Sequence, residues 1–223
     1  MILAPPKTMK TDMVSYYATR ASEYERIYAK PERGPNIQRL RRMLGPLFHG
    51  CNVLEISCGT GYWTEVIAPC ARAVVATDIN EEVLNIARSK NWGPASVEFH
   101  QADSCALPDF QRRFDGGFAG FWWSHIPKRR LSDFLAGFHA RLEPGALVAF
   151  VDNLYVAGSS TPISRVDASG DSFQTRQLSD GSVHEVLKNF PNPTEVESTM
   201  HAFADSIAIT TLDYFWLLTY RTK

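Results

Sequence analysis

The sequence predicts an α/β fold, a mostly parallel sheet with helices on both faces, on three counts. From Val53 to Asp152, short apolar runs alternate with helix-length amphipathic segments, and crossover connections between parallel strands require that alternation. The chain has 223 residues, 44% of them hydrophobic and 12% aromatic, which is enough to cover such a sheet on both sides. No internal repeat or low-complexity tract interrupts the pattern.

The elements follow in chain order. Residues 1–12 read as a loose, proline-containing start. From Met13 to Tyr28, the residues Tyr16, Tyr17, Tyr24 and Tyr28 fall at helix-compatible spacings and predict one or two helices. Asn36–Phe48 is a further helix, with Pro35 at its start and Ile37, Leu40, Leu44 and Leu47 on one face. Val53–Ile56 is a short apolar strand that runs into a glycine-containing turn. Thr64–Ala71 is predicted helical, Ala73–Thr77 a second strand and Glu81–Ser89 a second crossover helix. Val97–Gln101 and Phe114–Phe121 are strands three and four. Leu131–Leu142 is a helix closed by Glu143-Pro144-Gly145, and Ala146–Asp152 is the fifth strand.

Beyond Asp152 the pattern changes. Residues 157–172, rich in Gly, Ser, Thr and Asp, predict an exposed loop. Phe173–Leu178 and Ser182–Leu187 flank Ser179-Asp180-Gly181, a strong hairpin signal. Pro193–Phe203 is predicted helical. Ile207–Thr211 and Tyr214–Arg221 alternate as two final strands with only Leu212-Asp213 between them.

Charge and cysteine usage narrow the function. With 23 basic and 24 acidic residues the formal net charge is −1, so no basic stripe argues for nucleic acid. The clusters Arg39/Arg41/Arg42 and Lys128/Arg129/Arg130 are short and read as exposed faces. Cys51, Cys58, Cys70 and Cys105 show no C-x-x-C spacing, so neither a metal site nor a disulfide framework is expected, and the natural setting is a reducing one, the cytoplasm. No apolar run reaches the length of a membrane helix or a signal peptide, so no membrane association is expected.

The chemistry concentrates at three consecutive strand ends. Val53-Leu54-Glu55-Ile56 runs into Ser57-Cys58-Gly59-Thr60-Gly61, a turn whose glycines let a ligand approach the backbone. Asp78, with Ile79 beside it, ends the second strand 17 residues past Gly61. Asp103 and Ser104 follow the third strand. In a parallel sheet such ends meet at one crevice. There, a carboxylate can accept both hydroxyls of a ribose, and a second can accept the amine of an adenine.

These residues resemble the class I S-adenosylmethionine-dependent methyltransferases, whose glycine motif E-x-G-x-G-x-G is matched by Glu55, Gly59 and Gly61. Ser57 stands where that motif has its first glycine; Asp78 and Asp103-Ser104 match the acids after strands two and three. The resemblance implies a Rossmann-like seven-stranded, mostly parallel sheet with an antiparallel C-terminal strand and a small hairpin insert after strand five. It implies one domain: an N-terminal helical lid over 1–50, a cofactor-binding core over 51–156, an insert over 157–190, and a final helix and strands over 191–223. It further implies S-adenosylmethionine as cofactor. Tyr16, Tyr17 and Tyr24 become candidates to reach the cofactor's methionine end, and Phe121 or Trp122 to pack on its adenine or near the methyl. A nicotinamide-dependent dehydrogenase fits less well, because its fingerprint needs a third glycine where this chain has Thr64.

The acceptor side is less defined. Phe121-Trp122-Trp123-Ser124-His125 follows strand four and lacks the [DNS]-P-P-[YFW] motif of enzymes that methylate amino groups of DNA bases. His125 is the best-placed titratable group, either a base or orienting residue or a histidine satisfied by backbone. Trp122, Trp123, Asn153, Tyr155 and Arg176 are candidate acceptor contacts, with His184 a weaker one. The expected activity is direct displacement of a methyl onto an N or O atom of a small molecule, with no nucleic-acid partner. A non-catalytic cofactor-binding domain and a protein or tRNA methyltransferase are the alternatives.

Overall fold

The computed structural model describes residues 13–223, apart from the side chains of Ser22, Tyr24, Arg26 and Ile27. The predicted loose start at 1–12 and the candidate side chain of Tyr24 therefore lie outside the described residues. The first described segment folds as α1 (Met13–Thr19) and a 3₁₀ helix (Ala21–Tyr28), then a 3₁₀ turn (Pro31–Arg33) leads into α2 (Gly34–Leu47). The alternating region gives β1 (Asn52–Ile56), α3 (Thr64–Ile67), β2 (Ala73–Asp78), α4 (Glu81–Ser89), β3 (Val97–Gln101), β4 (Phe114–Gly120), α5 (Leu131–His139) and β5 (Leu142–Asn153). The remainder forms β6 (Arg165–Val166), β7 (Ser172–Gln177), β8 (Val183–Leu187), α6 (Pro193–Met200), β9 (Ala204–Thr211) and β10 (Phe215–Thr222).

Seven strands make one sheet in the order β3-β2-β1-β4-β5-β10-β9. β1 to β5 pair in parallel, and β10 runs antiparallel to both its neighbours, as expected of the antiparallel C-terminal strand. β1 sits between β2 and β4, so the strand order reverses there, and the crevice beyond the C-terminal ends of β1 and β4 is the natural ligand position. A second sheet, β6-β7-β8, is the insert.

Alternation along the strands splits the core between the two faces. Leu54 and Ile56 join Phe134, Phe138, Phe150 and Trp216 on one side. Val53 and Phe118 join Ile37, Leu40, Leu44 and Phe48 on the other. The apolar stripe of α2 is thus buried as its spacing predicts. Among the described residues no helix is long and apolar enough to cross a membrane.

Four segments depart from the sequence reading. α3 stops at Ile67 instead of Ala71, because Pro69 cannot donate the next helical hydrogen bond. α5 stops at His139, and Glu143-Pro144-Gly145 lies inside β5 instead of closing the helix. There the pairing with β4 jumps between Phe114 and Gly116, and Gly145 at φ 76° absorbs the extra length. That bulge is a place where a strand tolerates proline. The loop 157–172 contains β6, which pairs with the start of β7. Finally, α6 ends at Met200 and β9 begins at Ala204, each earlier than the pattern suggests.

Candidate active site

The turn after β1 is shaped by its own backbone. Ser57 holds φ at 52° and Gly61 at 79°, the left-handed region. The φ of Gly61 favours glycine, and a Cβ there would also crowd the Trp92 ring at 3.0 Å. The Gly59 N–H donates to Asp78 Oδ2 at 2.9 Å, and the Asn80 N–H donates to Oδ1 at 3.0 Å. These two bonds fix the carboxylate at the end of β2 across the crevice from the glycine turn, although burial raises its pKa. Beneath the turn, buried Glu55 accepts from Thr64 Oγ1 at 2.6 Å, and burial pushes its carboxyl up to about 8. Through this hydrogen bond Glu55 ties β1 to the start of α3.

Two cavities open along the crevice. The smaller, about 240 Å³, is lined by Ser57, Asp78, Ile79, Asp103, Ser104 and Trp122, among others. Asp103 is held by the Cys105 N–H at 2.8 Å. The larger, about 450 Å³, lies under the N-terminal helices and is walled by β7 and the end of β8; it contains Tyr16, Asn153, Arg176, Lys188 and Phe190. Tyr17, Phe121 and His125 line both and mark where the two meet. Phe121 keeps φ at 58°, unusual for a bulky residue, while its N–H donates to Val151 O at 2.7 Å.

The hydrogen bonds of His125 set its tautomer. Nδ1 lies 2.7 Å from Leu187 O, a pure acceptor, so Nδ1 carries the proton. Nε2 is then an acceptor and takes the Tyr17 hydroxyl at 2.9 Å. Burial, and next the Lys188 and Arg176 charges, hold the imidazole well below its usual range, so it is neutral. Burial pushes the Tyr17 phenol up to about 12, keeping it protonated.

Under the larger cavity lies a buried polar floor. Asp152, at the end of β5, accepts the Ser124 N–H at 2.8 Å and the Ser124 hydroxyl at 2.9 Å. It also takes the Asn153 N–H at 2.7 Å and Lys188 Nζ at 3.1 Å, and Lys188 donates to Ser124 Oγ as well. Desolvation lowers the Lys188 ammonium to about 8 despite the Asp152 charge.

The candidate residues sort clearly by position. Ser57, Asp78, Ile79, Asp103, Ser104 and Phe121 come together around the smaller cavity, with Gly59 and Gly61 behind it and Glu55 below. Tyr17 and His125 sit at the junction, whereas Tyr16 faces the larger cavity. Asn153 and Arg176 line the larger cavity. Of the acceptor-side candidates, Trp122 takes its adenine-side alternative, and two others are corrected. Trp122, directly after β4, lines the smaller cavity and not the larger one. Trp123 is buried in the core between Phe150 and Trp216 and lines neither cavity. Tyr155 is exposed, packed edge-on against Phe190, and lines neither. Arg20, Lys30, Arg33, Lys188 and Phe190 line the larger cavity and are absent from the sequence reading. Only the placement of Lys188, directly after an alternating strand, offered a local signal.

Comparison with known proteins decides the family. A methyltransferase-domain family matches residues 53–145. A demethylmenaquinone methyltransferase of Lactococcus lactis is 33% identical over 84 residues, 35% of this chain and 33% of its own length. The chain thus aligns with about a third of that relative. Among solved structures, DhpI in complex with SAH is 30% identical, with a TM-score of 0.73 over 94% of each chain. This chain belongs to the class I S-adenosylmethionine-dependent methyltransferases. A second structure, DhpI with SAM and HEP, is 29% identical to this methyltransferase, with a TM-score of 0.76 over 93% of this chain and 94% of that one.

Proposed function

We propose that this methyltransferase transfers a methyl group to an O or N atom of a small molecule held in the larger cavity, in the cytoplasm. The observation that carries the reading is the junction: two cavities of different character share Tyr17, Phe121 and His125 as a common wall. The larger is roofed and walled by the N-terminal helices and the insert, and its volume suits a small molecule better than a polymer.

The smaller cavity fits an adenosyl group. Asp78 and Asp103 each use part of their acceptor capacity on backbone N–H groups and retain lone pairs for a ribose diol and an adenine amine. Ile79, Val83, Trp122 and Ile126 give apolar walls to the base. When bound, S-adenosylmethionine supplies a methyl group already activated on a positively charged sulfur. The protein's own part is positioning and exclusion of water, which lowers a barrier by up to ~7–11 kcal/mol when alignment is good. Tyr17 and Phe121 form the neck through which an acceptor atom must approach. His125 Nε2 accepts the Tyr17 hydroxyl and so fixes Tyr17 Oη at the neck, with a lone pair left to accept a hydrogen bond from an incoming acceptor atom.

Calorimetric titration with S-adenosylmethionine, S-adenosylhomocysteine and NAD tests the reading. Both adenosyl compounds should bind and NAD should not. Asp78→Ala should weaken adenosyl binding by roughly 10- to 100-fold, the range for losing one or two charge-assisted hydrogen bonds. Binding to NAD alone would refute it. Formation of S-adenosylhomocysteine with small molecules, and not with protein or tRNA, then fixes the acceptor class.

A further inference from the structure

Resting on that reading, we infer that the larger cavity recognises its acceptor through a small, multiply charged oxyanion, a phosphoryl-type or carboxylate group. Among the described residues, five cationic side chains line this one cavity: Arg20 after α1, Lys30 and Arg33 at the 3₁₀ turn, Arg176 on β7 and Lys188 after β8. Glu23 is the one carboxylate among the described lining residues. The chain as a whole carries a net charge of −1, so the concentration is local.

Most hydrogen bonds of these cations go to groups that carry no charge. Arg20 donates to Tyr16 Oη at 3.2 Å, Lys30 to Ser159 O at 2.7 Å, and Arg176 to Gln174 Oε1 at 2.7 Å. Arg33 donates to Ser159 Oγ at 3.0 Å and to Asn153 Oδ1 at 3.1 Å. All of these acceptors are neutral, and a guanidinium has five N–H donors to share. Lys188 does bond to a carboxylate, that of Asp152. The electrostatics agree with the geometry. After burial, Arg33 and Arg176 push the Lys30 ammonium down, with Glu32 offsetting part of their effect. Arg176 and Arg33 likewise oppose the Asp152 charge at Lys188. A bound oxyanion would relieve this mutual repulsion.

The site is also preorganised. Buried Arg33 stacks over the Tyr214 and Phe215 rings, and Arg176 lies over Tyr16, so little side-chain freedom remains to be lost on binding. A cationic acceptor would be repelled here, and an apolar one would leave desolvated cations facing it. Charge excess favours a dianion over a single carboxylate. Arg176 also neighbours Tyr17 at the neck, which places the anion beside the route to the methyl donor.

The test uses the full chain saturated with S-adenosylhomocysteine, titrated calorimetrically with inorganic phosphate, methylphosphonate, succinate, acetate and ethanolamine. The dianions should bind roughly tenfold or more tightly than acetate, more weakly as salt rises, and ethanolamine should not bind. Arg176→Gln and, separately, the exposed Lys30→Gln should each weaken the dianions, Arg176→Gln by about tenfold. S-adenosylhomocysteine affinity should stay unchanged, which also shows that both variants fold. Tightest binding of phosphate and methylphosphonate assigns a phosphoryl-type group; tightest binding of succinate assigns carboxylates. The inference is overturned if no anion binds while S-adenosylhomocysteine does, or if the anions bind both variants as well as wild type. Anion binding without S-adenosylhomocysteine binding would instead sink the methyltransfer reading and leave this one standing.

Discussion

The smaller cavity is lined by residues 57–130 plus a few from α1, carries two carboxylates, and takes its polar groups from the ends of consecutive strands. The larger draws mainly on residues 16–33, 153–161 and 174–190, with Phe121, His125 and Phe215 from the sheet side, and carries five cations among the described residues. One is a property of the sheet's topology. The other is assembled by three excursions from it, meeting only in the folded chain. A parallel sheet fixes where its strand ends go, so residues there are constrained by spacing; the excursions are constrained only by what they must enclose.

The largest expected effect tests whether the floor of the larger cavity is structural as well as functional. Asp152→Ala would leave the Lys188 ammonium buried without its carboxylate and free the Ser124 and Asn153 N–H groups. Breaking one partner of a buried pair costs about 3–5 kcal/mol, and urea unfolding should show a loss of that size. None of Ser124, Asn153 and Lys188 lines the smaller cavity, so affinity for S-adenosylhomocysteine should hold in protein that remains folded. A stability loss below about 1 kcal/mol would mean that Lys188 sheds its proton or reaches water, and the two regions would then differ less than the geometry says.

The same contrast explains what could be read in advance. The alternation from Val53 to Asp152 and the acids Asp78 and Asp103 were legible because helix and strand periods, and the convergence of strand ends, act over short stretches of chain. Val97–Gln101 and Glu81–Ser89 were placed to the residue. The bulge at Pro144-Gly145 was not legible, since Pro-Gly after an amphipathic run is a helix-stop signal and only pairing with β4 overrides it. Arg20, Lys30 and Arg33 were invisible for a different reason. Each is an ordinary surface-type residue in its own segment, and only the closure of 16–33 against 153–161 and 174–190 gathers them. Trp123 misled because an aromatic after a strand end serves core and site equally well, and its ring went to Phe150 and Trp216.

Each region buries one group that titrates near neutrality, and the two should act on stability with opposite sign. Glu55, under the smaller cavity, has its carboxyl raised from 4.5 to about 8. The folded state keeps a proton that the unfolded chain releases, so this contribution is full below pH 4.5 and is lost as pH rises through 8. The slope is at most ~1.4 kcal/mol per pH unit. Lys188, in the larger cavity, is lowered from 10.5 to about 8. Its charged form is penalised in the fold, so stability recovers as pH rises from 8 toward 10.5. Glu55→Gln, which can still accept from Thr64 Oγ1, should flatten the acid limb alone. Lys188→Met should flatten the alkaline limb alone. Urea unfolding from about pH 5 to about pH 10 would show both, and a single variant that flattens both limbs would mean that the regions are electrostatically one.

The smallest effect concerns the turn that makes the smaller cavity. Ser57 occupies a left-handed conformation at φ 52°, where a Cβ costs about 1–2 kcal/mol relative to glycine. Ser57→Gly relieves that strain but frees the unfolded chain, which offsets roughly 0.5–1 kcal/mol. The net expectation is a gain of up to ~1.5 kcal/mol, with the melting temperature rising by ~2–4 °C for each kcal/mol in a chain of this size. The strain persists because the turn is held on both sides, by Cys58 N–H to Thr77 O at 2.9 Å and by the Gly59 N–H on Asp78. If glycine instead lowers stability, the serine side chain contributes more than its backbone strain removes. If glycine stabilises but weakens S-adenosylhomocysteine binding, Ser57 is a ligand contact, and its replacement of the first glycine is a functional choice of this chain.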